Sequence, residues 1–287
     1  MGPPPTGAEP RRPVLHRRLL RRRPHLLLRR RLGVGILSPL GRPLTQHTFQ
    51  QHAWFLEEHA FYNLLQAAGL WAFDPVKRDW KLVTKTTPKT SDIHSWKLTY
   101  DPGLKTVIAL NTQGDPGVFV FGRDTRTFTK KWPVPVKGYH VYSTCDAARK
   151  RHVVFGCQKW WTLDAVTGES KMIADLGAAR IKAGLQAPHY EQGSLSLEYD
   201  PATKDVLALI KPKSAVEVWA YHADQDQWSQ VTMAGEAPRG STDFDLLVYD
   251  RDHHCHLFLN VLGVTGYKGG PVGGFCAFRY AKPREKE

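Results

Sequence analysis

The sequence is poor in cysteine and methionine, with four and three among its 287 residues. The cysteines form no C-x-x-C pair, and we expect free buried thiols. No run of about 18 apolar residues occurs, which excludes a membrane-spanning helix of ordinary length. The motifs G-x-G-x-x-G, G-x-x-x-x-G-K-[ST], H-E-x-x-H and G-x-S-x-G are also absent, so no common catalytic or nucleotide-binding motif is present.

Acidic residues are scarce only at the N-terminus, which changes the meaning of the formal net charge of +13. Residues 1–43 contain 11 of the 40 lysines and arginines and one of the 27 acids, whereas residues 44–287 are nearly balanced. Arginine blocks repel one another and prolines interrupt any long helix, so we predict a disordered Arg/Pro-rich tail over residues 1–44. Three roles stay open for it: nonspecific phosphate binding, a targeting peptide, and a non-functional extension from a misassigned start.

The segment 45–69 has a different, more apolar pattern. Its apolar residues recur at helical spacing, namely Ala53, Leu56, Ala60, Leu64 and Ala67 or Ala68. Gly69 follows them at a position where glycine commonly ends a helix. We therefore predict a short amphipathic helix whose apolar face packs on the body of the protein.

A repeated unit dominates the rest of the chain. Each copy is an alternating strand that ends in aromatic-Asp, then a short turn, then an apolar strand. The copies are LTYDPGLKTVIAL (98–110), LEYDPATKDVLAL (197–209), LVYDRDHHCHLFL (247–259) and the degenerate STCDAARKRHVVF (143–155). We interpret the shared aspartate as the residue that builds the turn. These marker aspartates are Asp101, Asp146, Asp200 and Asp250.

A second unit follows the first, and consists of a short aromatic strand, a polar turn and a further aromatic nine residues on, as in Trp71 and Trp80. Its copies are LWAFDPVKRDW (70–80), VFVFGRDTRTF (118–128), VWAYHADQDQW (218–228) and the imperfect WWTLDAVTGES (160–170). Two units together make four antiparallel strands in about 45–50 residues, the size of a propeller blade. The sequence therefore predicts an all-β propeller of about four to five four-stranded blades.

These units resemble the repeats of the kelch β-propellers, the group that includes the galactose oxidase propeller. The order of the units and their internal spacing carry the likeness over residues 70–280. The chain departs from the kelch pattern after the second strand, where kelch blades usually carry Gly-Gly. The equivalent stretches here are NTQGDPG, FGCQ, LIKPKS and NVLGVTGYKGG, and of these four only the last contains a double glycine, Gly269-Gly270. The resemblance implies a propeller domain over residues 70–281, followed by a polar tail over 282–287.

The predicted ring has incomplete ends. No aromatic-Asp marker stands near residue 52, where the spacing of the later blades would place one, and FCAFRY (275–280) has the pattern of a third strand. In this interpretation the chain begins and stops in mid-blade. Either the two part blades close on each other, with the N-terminal segment supplying an outer strand, or the ring is open and the chain is a piece of a longer propeller.

Six residues are candidates for ligand binding. First strands of a propeller line its central channel, and exposed aromatic rings stack on sugars or peptides. The candidates chosen on these grounds are His94, His140, His189, Trp96, Trp132 and Trp160. The three histidines precede the next marker aspartate by different numbers of residues, so they do not share one repeat position. The alternative to ligand binding is that they are scattered surface or hydrogen-bonded residues.

The run Asp252–His256 gathers several metal-ligand types in five residues. The repeat nevertheless places His253 and His254 in a turn, and it places Cys255 and His256 on opposite faces of the next strand. We therefore predict no metal centre, and name His253, His254 and His256 as the residues that would be involved if one existed.

The resemblance implies a noncatalytic binding module that presents loops to a protein or carbohydrate ligand, with no cofactor. One alternative is a secreted oxidase- or isomerase-like enzyme of the galactose oxidase type, although no paired Tyr and His ligands with a cross-linking Cys fall on matching positions. A fragment of a longer kelch protein is the other. Nucleic acid is expected as a partner only through the arginine-rich tail, and cytoplasmic and secreted locations both stay open.

Overall fold

The computed structural model describes residues 51–65, 69–88, 95–138, 141–176, 195–210, 216–234, 245–260 and 275–281. Within these ranges the regular structure is almost entirely β-strand, with one 3-10 turn, η1, at Leu56–Glu58. The all-β prediction is therefore confirmed. None of the described residues forms a helix long and apolar enough to cross a membrane.

The strands form five antiparallel sheets, each built from consecutive strands in chain order. Sheet 1 holds β1 (His52–Phe55), β2 (Ala60–Leu65), β3 (Gly69–Asp74) and β4 (Asp79–Thr84). Sheet 2 holds β5 (Trp96–Asp101), β6 (Thr106–Asn111), β7 (Gly117–Gly122) and β8 (Thr127–Trp132). Sheet 3 holds β9 (Tyr142–Asp146), β10 (Arg151–Gly156), β11 (Lys159–Leu163) and β12 (Ser170–Asp175). Sheet 4 holds β13 (Leu195–Asp200), β14 (Asp205–Ile210), β15 (Glu217–His222) and β16 (Gln227–Gln230). Sheet 5 holds β17 (Asp245–Asp250), β18 (Cys255–Asn260) and β19 (Phe275–Phe278).

The first strands of successive sheets lie side by side, in the order β1, β5, β9, β13 and β17. Each sheet extends outward from its first strand, because neighbouring strands in a sheet follow one another in the sequence. This arrangement is a β-propeller ring of five sheets, at the upper end of the predicted range. Strand β19 occupies the position predicted for a third strand in the last sheet.

The hydrophobic core lies between consecutive sheets rather than in one central mass. Apolar side chains from the facing surfaces of neighbouring sheets form four clusters, one for each pair of neighbours. Phe121 between sheets 1 and 2 and Trp160 and Tyr221 between sheets 3 and 4 are among the largest fully buried side chains. The alternation along each strand sends its side chains in turn to the preceding and the following sheet.

The helix predicted over residues 45–69 is wrong for the part that the structure describes. Strands β1 and β2 occupy this region and are joined by the turn at 56–59, with His59 at φ 46°. Phe55 pairs with Ala60 across this turn in the same way that Asp101 pairs with Thr106 in sheet 2. Phe55 therefore occupies the marker position in place of aspartate, and that replacement hid the first repeat from the pattern.

Among the described residues, the propeller consequently includes β1 and β2 ahead of residue 70, and sheet 1 has all four of its strands. The prediction that the chain starts in mid-blade is wrong. Helical spacing misled because the apolar positions of 60–64 also satisfy the period of two, and burial against sheet 2 selects the strand. Predictions for residues 1–50 and 282–287, including the two tails, concern residues outside the described ranges.

The nine-residue spacing in the second unit does not join direct cross-strand partners. The aromatic residue that lies opposite the later one is two positions further along the chain than that spacing predicted. Phe73 lies opposite Trp80, with ring centroids 5.2 Å apart, and Phe121 lies opposite Phe128 at the same separation. Trp71 pairs instead with Leu82. The polar turn between the two aromatics spans four residues, so direct cross-strand partners are seven positions apart rather than nine.

The first strand of sheet 1 and the first strand of sheet 5 differ from the other neighbouring first strands in their contact. Among the described residues, β17 and β1 make no side-by-side contact comparable to that of other successive first strands. Trp54 on β1 is 44% exposed, and Val248 on β17 is 42% exposed. Apolar side chains at these two terminal sheets are therefore partly accessible to solvent.

Candidate functional site

The marker aspartate of sheet 2 forms two kinds of contact. Oδ1 of Asp101 accepts hydrogen bonds from the backbone N–H groups of Gly103 and Leu104 at 2.8 and 2.9 Å, which is the predicted turn-building role. The other oxygen, Oδ2, lies 2.9 Å from Nε2 of His152 on β10 of the next sheet. Because the carboxylate only accepts, Nε2 carries the proton and donates it. Burial alone would raise the pKa of Asp101, but these hydrogen bonds outweigh it and lower the pKa.

The same pair recurs two sheets later. Oδ2 of Asp200 lies 3.0 Å from Nε2 of His256 on β18, while its Oδ1 binds its own turn. His152 and His256 are both fully buried and stand at the same place in the repeat, six residues after a marker aspartate. Sequence reasoning recognised the turn role but missed this connection between sheets. The signal was present, because a histidine occurs at the same repeat position in both copies.

Asp101, Cys145 and His152 are the group of three potential metal ligands found among the described residues, with their ligand atoms within 4.8 Å of one another. Burial raises the pKa of the Cys145 thiol and favours its protonated form. Nδ1 of His152 has no hydrogen-bond partner, as is also true of His256, whereas a metal-bound histidine ordinarily donates its second N–H to an acceptor. In the second copy Tyr249 replaces the cysteine, and the Asp–His pair forms without it. We therefore assign both pairs to holding neighbouring sheets together.

The histidines named as metal candidates have separate partners. His253 is exposed in its turn, and its Nδ1 lies 2.8 Å from Oδ2 of Asp250. Nδ1 of His254 lies 3.3 Å from the Tyr249 hydroxyl. His256 bonds instead to Asp200 of sheet 4. The described structure therefore does not bring these three imidazoles together.

The other candidates fall into two groups. His94, His140 and His189 belong to segments that the structure does not describe. Trp96 and Trp160 are 3% and 0% exposed and belong to the core, which corrects the expectation that their rings are open to a ligand.

Trp132, the remaining candidate, is half-buried and is held by the next sheet. Its Nε1 donates to the carbonyl oxygen of Ala165 at 3.1 Å. Gly168 lies against its ring with φ +80°, and a Cβ there would approach the ring carbons to 2.5 Å. The glycine is required both by the left-handed backbone and by this close approach. Trp132 thus connects sheet 2 to the turn that precedes β12.

Gly168→Ala is expected to lower the free energy of unfolding by about 2–3 kcal/mol, from backbone strain and the clash with Trp132. Gly103→Ala is the matched control, since a Cβ there meets only the Asp101 side chain at 3.2 Å and its backbone is not left-handed. Urea unfolding followed by tryptophan fluorescence measures both. Equal losses in the two variants would contradict the assignment.

Three polar side chains that the sequence analysis did not single out lie on first strands of the ring. Lys97 on β5 is 9% exposed, and Glu198 on β13 attracts it electrostatically although β9 lies between their strands. His52 on β1 is also close enough for Lys97 to influence its charge. Because first strands surround the axis, interactions that skip a strand run across the centre. We call His52, Lys97 and Glu198 the central polar cluster.

Burial governs the protonation of this cluster. It lowers the pKa of Lys97 to about 7, with the attraction of Glu198 opposing the shift. Burial raises the pKa of Glu198 to about 7, opposed by a hydrogen bond from the Tyr249 N–H and by the charges of Lys97 and Arg251. The pKa of His52 falls to about 4 through burial and the nearby lysine, so its imidazole is neutral at pH 7. Strongly shifted groups of this kind concentrate at functional sites.

Two further groups extend the cluster toward the end of the channel where the marker turns lie. Arg251, in the turn after β17, influences both Glu198 and Tyr100. The Tyr100 hydroxyl donates to the carboxylate of Glu57 in sheet 1, at 2.7 and 2.9 Å to the two oxygens. The sequence signal for the cluster was a charged residue inside an otherwise apolar first strand, as in WKLTYD and LSLEYD.

No protein-family model matches the chain, and no curated protein matches its sequence. Solved structures do match in fold. The extracellular domain of a protein described as a one-component system from Bacteroides thetaiotaomicron has 13% identity and a TM-score of 0.51, covering 85% of this chain and 28% of that one. An auxiliary nutrient binding protein from Bacteroides ovatus has 9% identity and a TM-score of 0.50, covering 75% of this chain and 57% of that one. The chain thus spans less than two thirds of either neighbour and shares with them the propeller fold.

Proposed function

We propose that this chain is a noncatalytic binding module of kelch-like type that takes a carbohydrate ligand at the central polar cluster. The observation that carries the proposal is the pair Lys97, which is almost completely buried, and Glu198, which is half-buried, on first strands of the ring. The two attract one another without forming a direct ion pair.

Such a pair is unfavourable for the folded protein by itself. Each charge has lost part of its hydration, and neither recovers it through a short contact with the other. Both groups nevertheless remain available to hydrogen-bond a molecule that enters between them. A lysine ammonium donates and a glutamate carboxylate accepts, which suits the hydroxyl groups of a sugar.

The position of the cluster favours a small ligand over a protein surface. Lys97 is almost completely buried, so a partner has to enter the channel to reach it. Polar groups that converge inside a concavity are the usual means by which a protein orients a small molecule. The Tyr100–Glu57 contact adds an aromatic ring and a carboxylate from neighbouring sheets.

The repeat pattern supports the kelch-like part of the proposal, and the five-sheet ring supports a propeller in general. A binding role agrees with the description of the Bacteroides ovatus neighbour as a nutrient binding protein, although a likeness at 9% identity extends to the fold alone.

A thermal-shift titration of the full chain with mono- and disaccharides tests the proposal. At least one saccharide is expected to raise the melting temperature in a concentration-dependent way, because a ligand that binds only the folded state stabilises it. Lys97→Met and Glu198→Gln are each expected to abolish the shift.

Lys77→Met is the matched control, since Lys77 is exposed and forms an ion pair with Asp74 in its own turn. This variant is expected to respond like the original chain. The proposal fails if no saccharide shifts the melting temperature, or if the two cluster variants respond as strongly as Lys77→Met.

A further inference from the structure

A chain of hydrogen bonds crosses the three outer strands of sheet 4. Oδ2 of Asp205 on β14 lies 3.3 Å from Nδ1 of His222 on β15, and Nε2 of His222 lies 2.7 Å from Oγ of Ser229 on β16. The carboxylate only accepts, so Nδ1 donates to it, and in the singly protonated imidazole Nε2 accepts the proton of the Ser229 hydroxyl. This is the order of contacts by which a histidine activates a serine hydroxyl.

Burial increases along this chain from the serine to the aspartate. Ser229 is half-buried on the last described strand of sheet 4, the His222 side chain is 18% exposed, and the Asp205 side chain is fully buried. The hydroxyl group of Tyr280, which follows β19 in sheet 5, also donates to Oδ2 of Asp205, at 2.9 Å. Two sheets therefore fix the inner end of the chain, while the serine stays partly accessible to a molecule from solvent.

The repeat itself does not require these side chains. The strand register places Thr106, Gly122 and Thr129 at the three equivalent positions of sheet 2. Sheet 2 forms its four strands and packs its core with these residues. The hydrogen-bonded set of sheet 4 is therefore not needed to build a sheet of this kind, which favours a chemical role for it.

The surroundings of Ser229 suit an ester. Val231 and Met233 pack against the apolar cluster between sheets 4 and 5 and are half-buried, and Val231 follows the serine by two positions on the same face of the extended chain. The Val231 N–H donates to the carbonyl oxygen of Val218, so the N–H of Gln230 is directed away from β15. An apolar acyl group can lie beside the valine, and the Gln230 N–H can donate to a developing oxyanion.

We propose that Ser229 is a nucleophile activated by His222, and that this site hydrolyses small carboxylic esters. Oγ of Ser229 bonds to the carbonyl carbon, the bond to the alcohol oxygen breaks, and the serine proton passes through Nε2 of His222 to the departing alkoxide. Water then bonds to the acyl carbon, its proton returns through the same nitrogen to Oγ, and the carboxylic acid leaves. One ester and one water thus give one acid and one alcohol. Asp205 is a positioning residue that holds His222.

Labelling of the full chain with diisopropyl fluorophosphate, followed by intact mass and peptide mapping, tests the nucleophile. One diisopropylphosphoryl group is expected on Ser229, with fluoride as the leaving group. Ser229→Ala is expected to abolish the label, and His222→Gln to slow labelling by about a hundredfold, because Oγ loses its base. Thr129→Ala is the matched control, since it removes a hydroxyl group at the equivalent position of sheet 2.

Turnover of p-nitrophenyl butyrate, measured by the absorbance of the released p-nitrophenol, tests the activity. Ser229→Ala is expected to lose this turnover and Thr129→Ala to retain it. Asp205→Asn is expected to lower kcat by about tenfold or more with little change in KM, because the carboxylate acts through the orientation of His222 and does not bind the ester.

The contrary results are distinct. No label, a label on another residue, or equal labelling rates in His222→Gln and Thr129→Ala would overturn the proposed nucleophile. A labelled serine whose turnover does not exceed that of Ser229→Ala would overturn the esterase activity. If His222→Gln does not fold, by circular dichroism, the labelled position in the original chain decides. The site lies outside the first strands that carry the central polar cluster, whose noncatalytic role is proposed separately, so either proposal can fail without the other.

Discussion

His152→Ala is expected to lower the free energy of unfolding by about 3–5 kcal/mol, the loss typical when one partner of a buried polar pair is removed. The substitution leaves Oδ2 of Asp101 buried without its donor from the neighbouring sheet, and it also leaves a cavity at a side chain that is fully buried. Urea unfolding followed by circular dichroism measures the loss. The result tests whether the Asp–His pair holds sheets 2 and 3 together.

His253→Ala provides the matched control for this experiment. His253 also bonds to the Oδ2 of a marker aspartate, Asp250, at 2.8 Å, but its side chain is 75% exposed. Because water replaces an exposed hydrogen bond, its loss is expected to cost less than about 1 kcal/mol. If both variants lost a similarly small amount of unfolding free energy, the result would contradict the assignment of the Asp–His pair to holding sheets 2 and 3 together.

The double variant Lys97→Met/Glu198→Gln is expected to raise the free energy of unfolding at pH 7 by about 1–3 kcal/mol, because neutral side chains of similar size avoid the cost of burying two charges. A gain of stability at a site that is proposed to bind a ligand fits the common trade-off between function and stability. The control is Lys130→Met/Asp115→Asn, which removes an exposed ion pair and is expected to change stability by less than about 1 kcal/mol. A double variant that is less stable than the original chain would contradict the prediction.

The pH dependence gives this prediction a sign that can be checked. The pKa of Glu198 rises from 4.5 to about 7 on folding, so the folded state holds the proton more tightly and stability falls as pH rises from 4.5 to 7. The pKa of Lys97 falls from 10.5 to about 7, so the unfolded state holds the proton more tightly and stability increases from pH 7 to 10.5. These two groups therefore contribute a minimum of stability near pH 7. The minimum is expected in urea unfolding of the original chain and is expected to be absent from the double variant.

The repeat pattern was sufficient to predict the propeller architecture because it reports local geometry. An aspartate followed by Pro-Gly or Pro-Ala builds a turn from its own backbone contacts, and Asp101 and Asp200 do so in the structure. The pattern failed at sheet 1 for the same reason. Phe55 forms the equivalent turn without an aspartate, and only its burial against sheet 2 shows that the residue belongs to the repeat.

The candidate site was less accessible to this kind of reasoning. Trp96 and Trp160 were chosen as binding residues because tryptophan stacks on ligands, but the side to which a strand residue points depends on the register of its sheet. Lys97 and Glu198 lie 101 positions apart in the sequence and on strands that are not neighbours. No spacing rule connects them, and their relation appears only when the first strands surround one axis.

The sequence by itself determined the alternation of strands and turns, the number of repeats from the second onward, and the separation of a basic segment from a nearly neutral body. These properties depend on contacts between residues that are close in the chain. The tertiary structure decided that sheet 1 starts at His52, that His152 and His256 connect neighbouring sheets, and that Lys97 lies close enough to Glu198 to be attracted by its charge. Each of those facts requires two sheets to be placed side by side or around a common centre, because the energies involved arise from burial between sheets rather than from the local conformation of the chain.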